Sequence, residues 1–357
     1  MSIVKARVSK MKPRERFFNA LDYAETDRVP AGVLGGGMWI LRTMGYGFQD
    51  LIGRPSEMAN VYLKANELID SSVIYVGSGY NNLHIGALGG KIKYRRIGAP
   101  DLEEPLVKES TSELDDIDID RLGGDAVVQT IWEAAERVAD IVDDEYVVTM
   151  QCFGPLTLAG QIYGVERLMR SAYRSPQEID KVIDFGARMV LRFYGPLIDK
   201  GVIQLATIAD PTASGDLISR KHFERFALKP LQKVISALHA KGARVLLHIC
   251  GDTTDKLDLL IYTGADCISL DQRVPLAEAK RVFTEKKRCL AGNVDPIHVL
   301  NVGTPEKVRE ECENALTIGA SGGGFILVPG CDIPPTTPLE NIQMLMKTAA
   351  EWRYDRA

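Results

Sequence analysis

Apolar and polar positions along this chain fall into two alternating rhythms. Short apolar, β-branched segments recur, and longer stretches with helical spacing separate them. The short segments predict strands at Arg28–Leu34, Ser71–Gly77, Tyr146–Cys152, Val202–Asp210, Ala243–Cys250, Ala265–Asp271, Arg288–Asn293 and Gly324–Pro329. The longer ones predict helices at Lys12–Tyr23, Ser56–Ile69, Asp125–Val142, Pro155–Tyr173, Pro176–Lys200, Ser219–Lys241, Thr253–Thr263, Pro275–Lys287, Thr304–Ile318 and Pro338–Trp352. Proline at the first helical position marks two of these starts, at Ser175–Pro176 and Thr304–Pro305. Strands that alternate with helices pair in parallel. Eight such units predict an α/β chain closed into one (β/α)8 (TIM) barrel. One stretch breaks the rhythm. Lys91–Gly98 reads as an extra strand, and Ala99–Arg121 is acidic and contains prolines, so a small β-hairpin and loop are expected after the second strand. With neither a linker nor an internal repeat, residues 1–357 are expected to form a single domain.

Composition narrows the class. The chain is 45% hydrophobic and 25% charged, as soluble globular proteins are. A net charge of −5 offers no basic footprint for nucleic acid. The basic start (Lys5, Arg7, Lys10, Lys12, Arg14, Arg16) is not followed by an apolar stretch, so it does not read as a secretory signal. No apolar run approaches the roughly 20 residues of a membrane span. Six cysteines without a framework of short spacings fit a reducing cytoplasm.

Barrels of this kind place their chemistry at the C-terminal ends of the strands. Those ends read GVLGGGMW, GSGYNN, MQCFGP, IADPTASGD, HICGD, SLDQR, AGNVDP and VPGCDIPP, polar or glycine-rich in every case. Two of them carry soft ligands. His248 and Cys250 are two apart on a strand, so both side chains point to one face. Cys331 follows the last strand. A buried cysteine and a satisfied core histidine would explain the first pair alone. With Cys331 on the same rim, a His-Cys-Cys zinc site with an open fourth position becomes the expected reading. Cys152 is a further candidate ligand, whereas Cys267, Cys289 and Cys312 read as packing residues. Such zinc holds a thiol as thiolate or polarises an oxygen. Asp210 and Asp271, at two other strand ends, are candidate catalytic groups. Each is expected to bind substrate, touch the metal, or orient His248. For Asp210 the competing reading is an Asp-Pro turn. Asn293 either hydrogen-bonds substrate or satisfies backbone at a turn.

The stretches GPLTLAG (154–160), IADPTASGDLIS (208–219), VLLHICG (245–251), LAGNVDP (290–296) and VPGCDIPPTTPLEN (328–341) resemble the uroporphyrinogen decarboxylase superfamily. Within it the chain is most similar to the zinc methyltransferases that work with corrinoid proteins, such as the methylcobamide:coenzyme M methyltransferases and O-demethylase methyltransferases. The resemblance implies zinc on His248, Cys250 and Cys331, a separate corrinoid protein docking over the barrel mouth, and a small-molecule methyl donor or thiol acceptor; a homodimer fits the family. The chain has no D-x-H-x-x-G cobalamin signature, so the cobalt is expected on the partner. The loop GGGMWILRTMGYG (35–47) has one arginine, Arg42, where decarboxylases carry several basic residues, and decarboxylation has no use for two thiolates.

Methyl transfer has two directions: from a methyl-corrinoid to a thiol, or from a methoxylated aromatic to Co(I). Met38, Trp39, Met44, Tyr46, Tyr80 and Phe153 read as an aromatic and apolar wall, although each alone fits ordinary packing. Gln151 joins Met38, Trp39, Tyr80 and Asn293 as an expected substrate-binding residue. That wall, in a rim poor in Lys and Arg, favours an aryl methyl ether donor, that is, O-demethylation. Thiol methylation, decarboxylation and a non-catalytic zinc-bound barrel stay open as alternatives; a fourth protein ligand would favour the last of these.

Overall fold

The computed structural model describes residues 11–95 and 98–353. Arg96 and Ile97 of the expected extra strand, and Lys5, Arg7 and Lys10 of the basic start, lie outside these residues. The strands among the described residues are β1 (Val73–Tyr75), β2 (Ile92–Lys93), β3 (Asp101–Leu102), β4 (Val147–Phe153), β5 (Leu205–Ala209), β6 (Arg244–Ile249), β7 (Cys267–Leu270), β8 (Cys289–Val294) and β9 (Phe325–Pro329). Seven of them form one curled parallel sheet in the order β1-β4-β5-β6-β7-β8-β9. β2 and β3 form a separate antiparallel pair, inserted between β1 and β4.

The expected first strand, Arg28–Leu34, is not a strand. It makes a single bridge, Ala31 to Leu327. The physical reason is local. Pro30 has no N–H to give a ladder, and Gly35 and Gly36 turn the chain at φ +72° and +74°. The segment still meets both edges of the sheet. Leu327 N donates to Pro30 O and Gly32 N to Leu327 O, while Ser72 N donates to Ala31 O.

Two expected helices are broken. Pro155–Tyr173 divides at Gly164 (φ +86°) into Pro155–Tyr163 and Val165–Arg174. Ser219–Lys241 becomes Arg220–Phe223, a wide turn Glu224–Leu228, and Lys229–Ala240; Pro230 cannot donate back into the preceding turn. A short helix, Gly37–Thr43, fills the loop that sequence patterning left open.

Interior rows of the barrel follow the two-residue alternation of strands. Low in the barrel they are apolar. Val73, Val147, Leu205, Leu246, Cys267, Cys289 and Ile326 are buried together beneath Phe17, Ala20 and Leu21 of helix Pro13–Leu21. Two residues further along, the rows turn polar: Thr149 and then Gln151 on β4, Thr207 on β5, His248 on β6 and Ser269 on β7. Each fully buried aliphatic side chain contributes about 1.5–3 kcal/mol, so the floor and the outer layer between sheet and helices hold the barrel without any metal. No helix among the described residues is long and apolar enough to cross a membrane.

Candidate metal centre

His248 ends the interior row of β6, and Cys250 follows one step of two further on, just past the strand. Cys331 enters from the turn after β9. His248 Nε2 lies 3.1 Å from Cys250 Sγ, and the two sulfurs are 3.4 Å apart. All the ligand atoms lie within 4.8 Å of one another. The cysteines are free, and their separation is far beyond the roughly 2.0 Å of a disulfide. Tetrahedral zinc with ordinary bond lengths would put two sulfurs roughly 3.8 Å apart, and nitrogen and sulfur roughly 3.6 Å apart. The observed spacings reach that geometry with shifts of a few tenths of an ångström. The donor set therefore fits zinc. His248 is 6% exposed and both cysteines are half-buried, so the cluster faces the mouth.

Electrostatics agree with a ligand set. A hydrogen bond from the Cys331 thiol lowers the Cys250 pKa against the opposing effect of burial. Cys331 is pushed up by the neighbouring Cys250 sulfur and by burial. Burial works to lower the His248 pKa, but Cys331 and Asp271 outweigh it and raise it.

The turns around the ligands have no room to spare. Gly251 sits at φ +85°, and a Cβ there would collide with Ser214, Asp216 and Arg273. At Gly330, before Cys331, a Cβ would lie 2.5 Å from the Gln272 backbone nitrogen. These two glycines are the reason the HICG and PGC stretches bring their sulfurs together.

The other sequence candidates are placed as follows. His248 is oriented by Ser269, not by Asp210 or Asp271: its Nδ1 lies 3.0 Å from Ser269 Oγ. Asp210 caps helix Pro155–Tyr163, accepting from Thr157 N at 2.7 Å and Thr157 Oγ1 at 2.6 Å. Burial pushes its pKa up to about 6 despite those donors. Asp271 accepts the Gly251 N–H at 2.7 Å. Asn293 Nδ2 donates to the carbonyls of Asp271 and Val274, so it satisfies backbone at a turn. Gln151 is half-buried, and its Oε1 lies 3.3 Å from Ser78 Oγ. Cys152 points to the other face of β4, with its sulfur 3.7 Å from His84 Nδ1, and is not part of the cluster.

Of the expected aromatic wall, Met38, Met44, Tyr46 and Phe153 are half-buried, whereas Trp39 and Tyr80 are closed into the core. Trp39 is 1% exposed, and its indole N–H donates to Thr337 O at 2.8 Å. Tyr80 is 0% exposed, and its hydroxyl donates to Phe48 O at 2.7 Å. Both have their polar handles satisfied inside the core, as buried Trp and Tyr require. Met38 is half-buried and lines a cleft of about 230 Å³ with Arg42, Tyr46, Phe48, Arg95 and Pro335.

Sequence reasoning passed over Ser269 and Asp332. Asp332 follows Cys331, accepts from Gly36 N at 2.6 Å and Ile333 N at 3.0 Å, and is raised by burial to about 6. Ser269 was legible as the residue two before Asp271, hence on the same face; its pairing with His248 needed the register.

A parallel α/β sheet curled as a barrel, with an imidazole and two thiols converging at its mouth from non-adjacent strands, defines the class: an α/β barrel with a candidate metal centre. The model of the uroporphyrinogen decarboxylase (URO-D) family matches residues 12–352, and the chain belongs to that family. Over 353 residues it is 28% identical to the methylcobamide:CoM methyltransferase MtbA of Methanosarcina mazei, covering 97% of this chain and 100% of that protein. It is 30% identical over 227 residues to MtbA of Methanosarcina acetivorans, covering 64% of this chain and 65% of that one. A solved methyltransferase from Methanosarcina mazei superposes with a TM-score of 0.85 over 96% of this chain and 99% of the other, at 24% identity, which speaks for the fold. By the full-length similarity to the M. mazei protein the chain is a methyltransferase of the family.

Proposed function

We propose that this single-domain enzyme transfers a methyl group between a corrinoid carried by a partner protein and a small thiol, with zinc held by His248, Cys250 and Cys331. The observation that carries the reading is the convergence of those ligand atoms within 4.8 Å at the barrel mouth. Zinc in a His-Cys-Cys set keeps a bound thiol in its thiolate form near neutral pH. Similarity to methylcobamide:CoM methyltransferases over essentially the whole chain supports a thiol as the methyl acceptor.

The preference for a methoxylated aromatic does not carry over. It rested on six wall residues taken together, and two of them, Trp39 and Tyr80, are closed into the core. It also rested on a rim poor in Lys and Arg; Arg42 lines the cleft beside Met38, and Arg95 in that cleft is paired with Asp101. A thiol with an acidic tail, such as coenzyme M, needs cations of that kind. Decarboxylation loses support because it has no role for the two thiols.

The chain's own residues supply positioning. Ser269 holds the His248 ring, leaving Nε2 toward the thiols. Gln151, half-buried on β4 beside Ser78, is our candidate for a substrate contact. In the transfer, the sulfur–carbon bond forms as the cobalt–carbon bond breaks, and the electron pair of the broken bond stays on cobalt. The chain's part would be to hold the thiol at the mouth, where the partner's methyl group arrives.

The test follows cobalt absorption. Methyl-Co(III) on a corrinoid protein is mixed with this enzyme and coenzyme M. The expected result is conversion to Co(I), dependent on the thiol and abolished by a zinc chelator. Methylation of Co(I) by methoxylated aromatics, without thiol activity, would reverse the direction.

A further inference from the structure

At the N-terminal ends of the strands, the end of the barrel opposite the metal ligands, lies a cleft of about 210 Å³. Arg16, Arg28, Asp70, Ser72 and Lys347 supply its polar lining. Three segments meet there: the start of the bridged 28–34 segment, the residue before β1, and helix Leu339–Glu351. The sheet is thinnest at this place, because it closes only through the backbone of residues 30–32.

The cations of the cleft are paired very differently. Arg16 is 1% exposed and fully committed. Its Nε and Nη2 donate to the two oxygens of Asp27 at 2.5 and 3.0 Å, and Nη2 also donates to Met11 O at 2.6 Å. Arg28 is half-buried, yet among the described residues its guanidinium has one ion pair, to Asp70 Oδ2 at 3.9 Å. That is beyond hydrogen-bond range, and the other Asp70 oxygen accepts from the Tyr146 hydroxyl at 3.0 Å. Lys347 repeats the pattern. It stands 3.9 Å from Glu351 Oε1, while the other Glu351 oxygen accepts from Arg309 at 3.0 Å. Burial and the Arg16 charge both lower the Arg28 pKa, and the Arg353 charge adds to them. A partly desolvated guanidinium is a fixed fork of N–H donors, and it matches the edge of an oxyanion bidentately.

We propose that this cleft is an anion-binding site, in which Arg28 takes a small oxyanion, a phosphate or a carboxylate, with Lys347 adding a second positive charge. The ligand ties the 28–34 segment to β1 and to helix Leu339–Glu351, and so braces the barrel where its ladder is thinnest.

The experiment measures binding heat and thermal midpoint of the full chain with inorganic phosphate, and with acetate as the carboxylate probe, at an ionic strength held constant with chloride. A ligand bound only by the folded state raises the midpoint. Phosphate also raises midpoints by exclusion from protein surface, so the reading is the difference from Arg28→Gln. Wild type is expected to give saturable heat, with affinity about 10–100-fold weaker in Arg28→Gln. Arg28→Lys keeps the charge without the fork and should recover only part of it. Lys347→Ala, at an exposed position, gives a smaller loss and serves if Arg28→Gln does not fold. Saturation by acetate and not by phosphate supports the site and assigns it to carboxylates. Absence of saturable heat with either anion overturns the proposal. So do equal midpoint shifts in wild type and Arg28→Gln, or affinity unchanged in both Arg28→Lys and Lys347→Ala.

Discussion

The floor and the mouth of this barrel each hold two inward-facing cysteines, and they have opposite characters. On the floor, Cys267 and Cys289 are register partners on β7 and β8 and are fully buried. Their buried apolar neighbours include Val73, Leu246 and Ile326. Burial, reinforced by the adjacent Cys289, drives the Cys267 thiol far up its scale. At the mouth, Cys250 and Cys331 come from non-adjacent strands and are half-exposed, and they share His248. Two nearby sulfurs do not make a metal site. A third ligand, a route for the cation, and polar groups to fix the ligands do.

The largest expected effect breaks the mouth. Cys250→Ala or Cys331→Ala should lose essentially all bound zinc and all methyl transfer, yet keep the barrel fold. Metal analysis beside circular dichroism checks this, and full zinc retention would remove the ligand assignment. Next comes a residue that the sequence placed at the mouth and the structure places in the core. Trp39→Ala should cost about 3–5 kcal/mol of stability with the thiol KM unchanged in the folded fraction. Urea unfolding and steady-state kinetics separate the two effects.

A third prediction concerns Asp210, whose pKa is raised to about 6 by burial. A raised carboxyl pKa means that the folded state binds the proton more tightly than the unfolded chain does, near 4. The contribution to stability is therefore complete below about pH 4 and disappears as pH rises through about 6. Relative to Asp210→Asn, wild type should lose on the order of 2–3 kcal/mol across that window. Parallel unfolding curves from pH 4 to 7 would show it, and a constant difference would place the Asp210 pKa near its ordinary value. The smallest effect belongs to the floor. Cys267→Ala or Cys289→Ala should cost about 1–2 kcal/mol and leave zinc stoichiometry intact. Loss of zinc from either variant would erase the contrast between the two cysteine pairs.

The sequence was most legible where one local rule sufficed. Spacing of two on a strand put His248 and Cys250 on one face, and alternation of strands and helices implied the parallel sheet. Seven of the expected strands appear with shifted ends. Arg28–Leu34 failed because apolar content outweighed Pro30 and the glycine turn in the reading, while the backbone obeys the proline. Trp39 and Tyr80 misled for a related reason. Composition marks an aromatic residue as valuable surface, but only its neighbours decide whether that surface lines a pocket or a core.

What the chain determined by itself was the repeating α/β architecture, the likeness to a corrinoid methyltransferase family, and the candidate ligand types at two strand ends. Periodicity and residue chemistry are local properties, so they survive without coordinates. What only the tertiary structure decided was partnership. It brought Cys331 to 3.4 Å from Cys250 across 81 residues of sequence, set Ser269 on His248, and turned Asp210 into a helix cap and Asp271 into a clamp on Gly251. Strand register and loop closure are non-local, and a carboxylate's role is set by the donors that surround it.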